Sequence, residues 1–154
     1  MTRTMFKSTA VGLILFGIPE MLLVIWAVYT FSGKEINKRD YLLSAFLYLI
    51  ITVISRYMPV LFGIHTIINI IFLIIISVKI IKLPVNKAIS CGLIAISLRA
   101  FTELLNILAL VNIYNIDLEK TFKNELIKNL YGMPSVFLYG AIILFISIGR
   151  KREV

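Results

Sequence analysis

The sequence is poor in the residues that build reactive sites. It has one cysteine, Cys91, and one histidine, His65. A single cysteine excludes an internal disulfide and any cysteine metal cage. A single histidine with no cysteine spaced to help it gives zinc no ligand set, so no metal is expected. There is no glycine-rich phosphate loop and no HExxH pattern, nor a paired-Asp motif for phosphoalcohol transfer. No cofactor is expected, and the chain reads as a non-enzyme. Charge is scarce as well. Only 16% of the 154 residues are charged, against about 25% in a soluble domain. Acidic residues are half as numerous as basic ones, 8 against 16, which leaves a net charge of +8.

What the chain has instead is long apolar runs. Hydrophobic residues make up 60% of it, and its mean hydropathy is +0.96. A helix needs about 20 apolar residues to cross a bilayer. The runs fit an all-α, polytopic transmembrane bundle of about five spans, at 10–31, 41–58, 60–81, 88–113 and 133–149, in one domain covering 1–154. Pro19 falls in mid-span and removes a helix hydrogen bond. From Asp117 to Leu130, Leu118, Phe122, Leu126 and Leu130 recur every four residues among charges. That spacing predicts an amphipathic helix over 117–130 lying at the membrane interface. Gly132 is expected to end it, and Pro134 to open the last span in its first helical turn.

The basic residues flank the apolar runs and form no polar face, which excludes nucleic acid as a partner. They read as topology signals and contacts to anionic lipid. Arg3 and Lys7 precede an apolar run, as in a signal peptide. The run continues through Pro19 and Glu20 to Phe31, past the length of a signal h-region, and no small-residue cleavage pattern follows. It reads as a retained first span. Five spans put the termini on opposite sides. The first loop, third loop and C-terminal tail together hold nine Lys and Arg, and the opposite side holds six. The positive-inside rule then places the N-terminus outside and the C-terminus in the cytoplasm, although Arg3 and Lys7 argue the other way. A four-span arrangement with one re-entrant segment is the competing topology. The abundance of Ile, Asn and Lys fits an AT-rich bacterial genome, and hence a bacterial plasma membrane.

Three charges lie where apolar residues are the rule. Glu20 is near the middle of the first span, Arg99 near the middle of the fourth, and Glu103 one turn beyond Arg99. A charge at that depth costs at least ~2.5–3.5 kcal/mol on insertion scales, so it faces the bundle interior and meets a partner. Arg99, Glu103 and Asn106 fall at i, i+4 and i+7 and share a helix face. His65 and Asn69 stand at i and i+4 in the third span, and Arg56 at the outer end of the second. Glu20, Arg56, His65, Asn69, Arg99, Glu103 and Asn106 are therefore the candidate polar interior and ligand site. The plainer alternative is that Arg99 and Glu103 satisfy each other along one helix and that the charges serve packing. Cys91, beside Ser90 and Gly92, reads as close helix packing.

Several local motifs resemble the membrane sensor half of bacterial GHKL-type sensor histidine kinases, a group that includes peptide quorum-sensing receptors. They are Ile18-Pro19-Glu20, Arg56-Tyr57-Met58-Pro59, Phe62-Gly63-Ile64-His65-Thr66, Glu103 in an apolar span, and Gly132-Met133-Pro134-Ser135. The resemblance covers nearly all of the chain. It implies a sensor that receives a ligand outside or within the membrane and passes movement down its last span. In those kinases the last span continues into a dimerisation helix and an ATP-binding domain. Here the sequence ends at Val154, so a stand-alone module, an accessory subunit or a truncated relic is expected, acting with a cytoplasmic kinase or as a homodimer. Two other functions fit the residues: a small ion-coupled transporter using Glu20, and a structural or assembly subunit.

Overall fold

The structure, a computed structural model, describes residues 2–57, 63–115 and 125–152. Those residues form five helices. They are α1 (Thr2–Ser32), α2 (Lys38–Tyr57), α3 (Ile64–Lys79), α4 (Val85–Asn112) and α5 (Glu125–Arg152). Three of them carry stretches long and apolar enough to cross a membrane: Ile14–Ser32, Val85–Asn112 and Leu130–Arg152. The 20 residues of α2 open on Lys38, Arg39 and Asp40, and α3 has 16 residues. Met58 and Pro59 of the Arg56-Tyr57-Met58-Pro59 motif, the start of the predicted third span, and positions 117–124 of the predicted amphipathic segment lie outside the described residues.

Helix α1 is the axis of the bundle. It packs on α2, α4 and α5, and α2–α3, α3–α4 and α4–α5 contacts join the other helices in chain order. Its Ile25, Ala27 and Val28 are fully buried. The outward face of the bundle is apolar. Phe145, Phe137 and Leu130 on α5 are 81%, 72% and 63% exposed. Such side chains find an apolar solvent only in lipid. With lipid tails as apolar as leucine, helices in a bilayer associate through close packing, which favours small residues at their contacts. Gly140 of α5 provides one. A Cβ there would meet the Leu23 side chain of α1 at 3.3 Å. Gly92 and the buried Cys91 let α4 approach Leu73 and Ile74 of α3, as the small residues around Cys91 suggest. We expect Gly140→Val to lower stability by about 1–3 kcal/mol through overpacking, measured by unfolding in mixed detergent micelles.

Two helix ends are tied at one pole of the bundle. At the C-terminus of α1, Arg150 Nη1 donates to the carbonyls of Thr30 (2.6 Å) and Phe31 (3.0 Å). A cation there satisfies orphan carbonyls and complements the helix dipole. Gly33 follows in the left-handed region at φ 68°, and its missing Cβ leaves room beside Arg150. At the end of α3, Lys82 adopts φ 57°, a conformation costly for a residue with a Cβ. Leu83 N–H turns back to the Ser77 carbonyl (3.0 Å), and Lys34 Nζ donates to the carbonyls of Ile81 and Lys82. The first loop, the third loop and the tail therefore meet at the same end.

The last helix corrects the sequence reading. Gly132 does not end an amphipathic helix and Pro134 does not open a new one; α5 runs unbroken from Glu125 to Arg152 through both. Pro134 has no N–H for the carbonyl one turn back, which normally breaks a helix. Side-chain donors bond the two carbonyls that follow the orphaned one. Asn106 Nδ2 of α4 donates to the Tyr131 carbonyl and Ser135 Oγ to that of Gly132, both at 2.7 Å. Membrane helices keep prolines by such substitutions. The first span departs in the same direction: α1 begins at Thr2 and passes through Pro19.

Candidate functional site

The three mid-span charges come together. Glu20 projects from α1 and Arg99 from α4. Arg99 Nε donates to Glu20 Oε1 at 3.0 Å, and its Nη2 lies 3.0 Å from the same oxygen. One carboxylate oxygen thus receives two guanidinium donors. The third nitrogen, Nη1, donates to Glu103 Oε2 at 3.3 Å, one turn along α4. The side chains of Arg99 and Glu20 are 15% and 20% exposed, and that of Glu103 is 57% exposed. The cluster is graded, with a tight, mostly enclosed pair at one end and a looser, half-open carboxylate at the other. Two carboxylates share one guanidinium, so the cluster carries one surplus negative charge when all three are ionised.

The wall around this cluster is built from tyrosines and small polar residues. Tyr139 of α5 is fully buried, and its hydroxyl donates to the Ala95 carbonyl of α4 at 3.0 Å. Tyr48 of α2 is buried. Thr102, fully buried one turn from Arg99, returns its hydroxyl to the Arg99 carbonyl at 2.8 Å. From Tyr48, a chain of hydroxyls climbs α2. Thr52 Oγ1 donates to the Tyr48 carbonyl and touches Met21 Sδ at 3.6 Å. Ser55 Oγ contacts the Thr52 carbonyl at 2.9 Å and Asn69 Oδ1 of α3 at 3.2 Å. Every helix but α3 contributes a residue to the surroundings of the ion pair, and α3 is joined through Asn69.

The seven residues singled out from sequence divide into separate bonded groups. Glu20, Arg99 and Glu103 form the cluster. Asn106 shares their helix face but turns to the Tyr131 carbonyl of α5. Asn69 faces α2. His65 is half-buried in the first turn of α3, after Gly63 at φ 99°, and makes no hydrogen bond among the described residues. The side chain of Arg56 lies outside the described residues. No group of three or more His, Cys, Asp or Glu able to hold a metal occurs among the described residues. Sequence reasoning missed Tyr139 as an interior partner and Arg150 as the partner of the α1 C-terminus. A signal for Tyr139 was present: Ser135, Tyr139 and Ile143 are buried at a spacing of four, the stripe that a helix presents to its neighbours.

We expect Asn106→Ala to cost about 0.6–1.7 kcal/mol, the range of interhelical hydrogen bonds in membranes. Its loss removes the side-chain donor that ties the Tyr131 carbonyl of α5 to α4. Unfolding in mixed micelles measures the stability, and faster hydrogen exchange confined to the residues after Pro134 locates the effect.

Comparison with family models, curated proteins and solved structures gives no match. The class therefore rests on the fold itself, which defines a helical membrane protein. Its particular mark is an interior ion pair that fastens the first helix to the fourth.

Proposed function

We propose that the chain is an integral-membrane, sensor-like module of five crossings. It takes a ligand within or outside the bilayer and relays a change of helix packing to a cytoplasmic partner. The observation that carries this reading is the division of Arg99 between carboxylates of unequal burial. Glu103 is half-open and weakly held; Glu20 is the more enclosed and the more tightly held. A ligand that engages Glu103 or Arg99 changes the grip of Arg99 on Glu20, and with it the packing of α4 on α1. Such a ligand shifts the equilibrium only by its differential affinity for the two packings. The opposite end of α1 is bonded to α5 through Arg150, so a displacement of α1 reaches the tail.

Five crossings follow from lengths. At 1.5 Å per residue, the 20 residues of α2 extend about 30 Å, the thickness of the hydrocarbon core. Its charged first turn then sits at the interface. The 16 residues of α3 extend about 24 Å, and Lys79 at its end reaches the surface along its own stem. The pole holding the first loop, third loop and tail is the more basic one, and the positive-inside rule puts it in the cytoplasm. The resemblance to the membrane half of GHKL-type kinases points the same way.

Ion-coupled transport is the weaker reading. A coupling carboxylate must exchange protons or cations during each cycle, and Glu20 holds a guanidinium at 3.0 Å. The test uses the full chain in its native membrane. The phosphorylation of a cytoplasmic response protein is followed in strains carrying Glu103→Gln, Glu20→Met or Arg99→Met. We expect each to change the signal at normal expression. An unchanged signal in all three overturns the proposal and leaves a structural subunit. Proton-driven uptake in proteoliposomes that Glu20→Gln abolishes overturns it in favour of transport.

A further inference from the structure

The pole where the first loop, third loop and tail meet carries most of the chain's positive charge. Nine Lys and Arg occur there against two acidic residues among the described ones, Glu35 and Asp40. Two of the nine are held in fixed positions. Arg150 is exposed, and a single nitrogen, Nη1, serves both carbonyls at the end of α1. Among the described residues its Nε and Nη2 have no partner, so one edge of the guanidinium is left open. Lys34 is anchored by the third loop's carbonyls. Gly33 directly precedes Lys34, and a Cβ there would lie 3.5 Å from Arg150 Nη1, so no side chain fills the notch beside the guanidinium. Lys151 and Arg152 follow Arg150 and are exposed.

We infer that this notch binds the phosphate of an anionic phospholipid, with Arg150 and Lys34 as its first contacts. The argument is charge, geometry and place. An open guanidinium edge matches two phosphate oxygens. The backbone anchors of both cations hold them in place before the headgroup arrives, so little side-chain freedom is lost on binding. The notch lies at the end of α1, where the lipid-facing surface of the bundle meets its polar pole. A membrane-embedded headgroup is therefore delivered to it by the bilayer itself, whereas soluble phosphate has to compete from solution. The inference is independent of the sensor reading and holds for either orientation of the chain.

Trp26 provides the test. It is the only tryptophan and lies six residues before the end of α1, about 9 Å below that pole at 1.5 Å per residue. The full chain is placed in nanodiscs in which either phosphatidylglycerol or phosphatidylcholine carries bromine on its acyl chains, at equal mole fraction. We expect brominated phosphatidylglycerol to quench Trp26 more strongly. Removing one contacting cation, in Arg150→Gln or separately in Lys34→Gln, lowers the partition of anionic lipid into the notch by about five-fold. The excess quenching falls accordingly in each. Arg150→Lys keeps the charge and retains part of the excess. Equal quenching by the two lipids overturns the inference. So does an excess that survives in both glutamine variants with helical content unchanged, or one that soluble glycerol phosphate abolishes.

Discussion

Arg99→Met is expected to destabilise the bundle by about 3–5 kcal/mol, because it strands the Glu20 carboxylate in the interior without its counter-charge. The neighbouring helices supply no second cation among the described residues, and two of the three Arg99 nitrogens point at one Glu20 oxygen. The companion experiment is the double variant Glu20→Met with Arg99→Met. Replacing a whole buried ion pair with apolar residues of similar volume is often neutral or stabilising. We therefore expect the double variant to regain most of the loss, and Glu103→Gln to cost under about 1 kcal/mol, as is usual for an exposed pair. Thermal unfolding in mixed micelles separates the three. A double variant as unstable as Arg99→Met contradicts the assignment of Glu20 as the principal partner. A double variant that is stable yet silent in signalling separates a functional role of the pair from a structural one.

Tyr139→Ala is expected to cost about 3–5 kcal/mol, the range for truncating a large buried aromatic side chain. Tyr139 is fully buried where α5 meets α4, beside the ion pair. Its ring fills the space and its hydroxyl holds the Ala95 carbonyl. Tyr139→Phe keeps the ring and deletes the hydrogen bond, at about 1 kcal/mol. The difference between the two variants measures the packing part directly. Near-equal losses would mean that the hydroxyl, and not the ring, holds α5 to α4.

The charge cluster was legible in the sequence because a bilayer leaves ionised groups few places to go. Glu20, Arg99 and Glu103 stood out against apolar neighbours, and their pairing followed from insertion cost. The existence and approximate order of the five helices were legible for the same reason. The start of α5 was not. Gly132 and Pro134 carry strong local signals for a break, and those signals are overridden by donors from elsewhere. Asn106, 25 residues away in sequence, ties α4 to the backbone next to the break that local propensity predicts. The two poles differed in the same manner. Arg150 reads from sequence as one of the basic topology signals, and its bond to the end of α1 spans 120 residues. No local pattern announces a contact of that separation. His65 and Asn69 shared a helix face with the expected pocket, but the register of α3 against α2 sends Asn69 to Ser55 and away from Arg99.

The separation of the partners also bears on how the protein is made. Glu20 and Arg99 are 79 residues apart in the chain. At a synthesis rate of about 5–20 residues per second, the guanidinium leaves the ribosome ~4–16 s after the carboxylate. During that interval the first helix carries an uncompensated acid, with nothing from α4 or α5 yet present to receive it. The nascent helix must therefore wait, neutralised by a proton or sheltered by the insertion machinery, and the axis of the bundle is the first part synthesised and among the last to be locked in place.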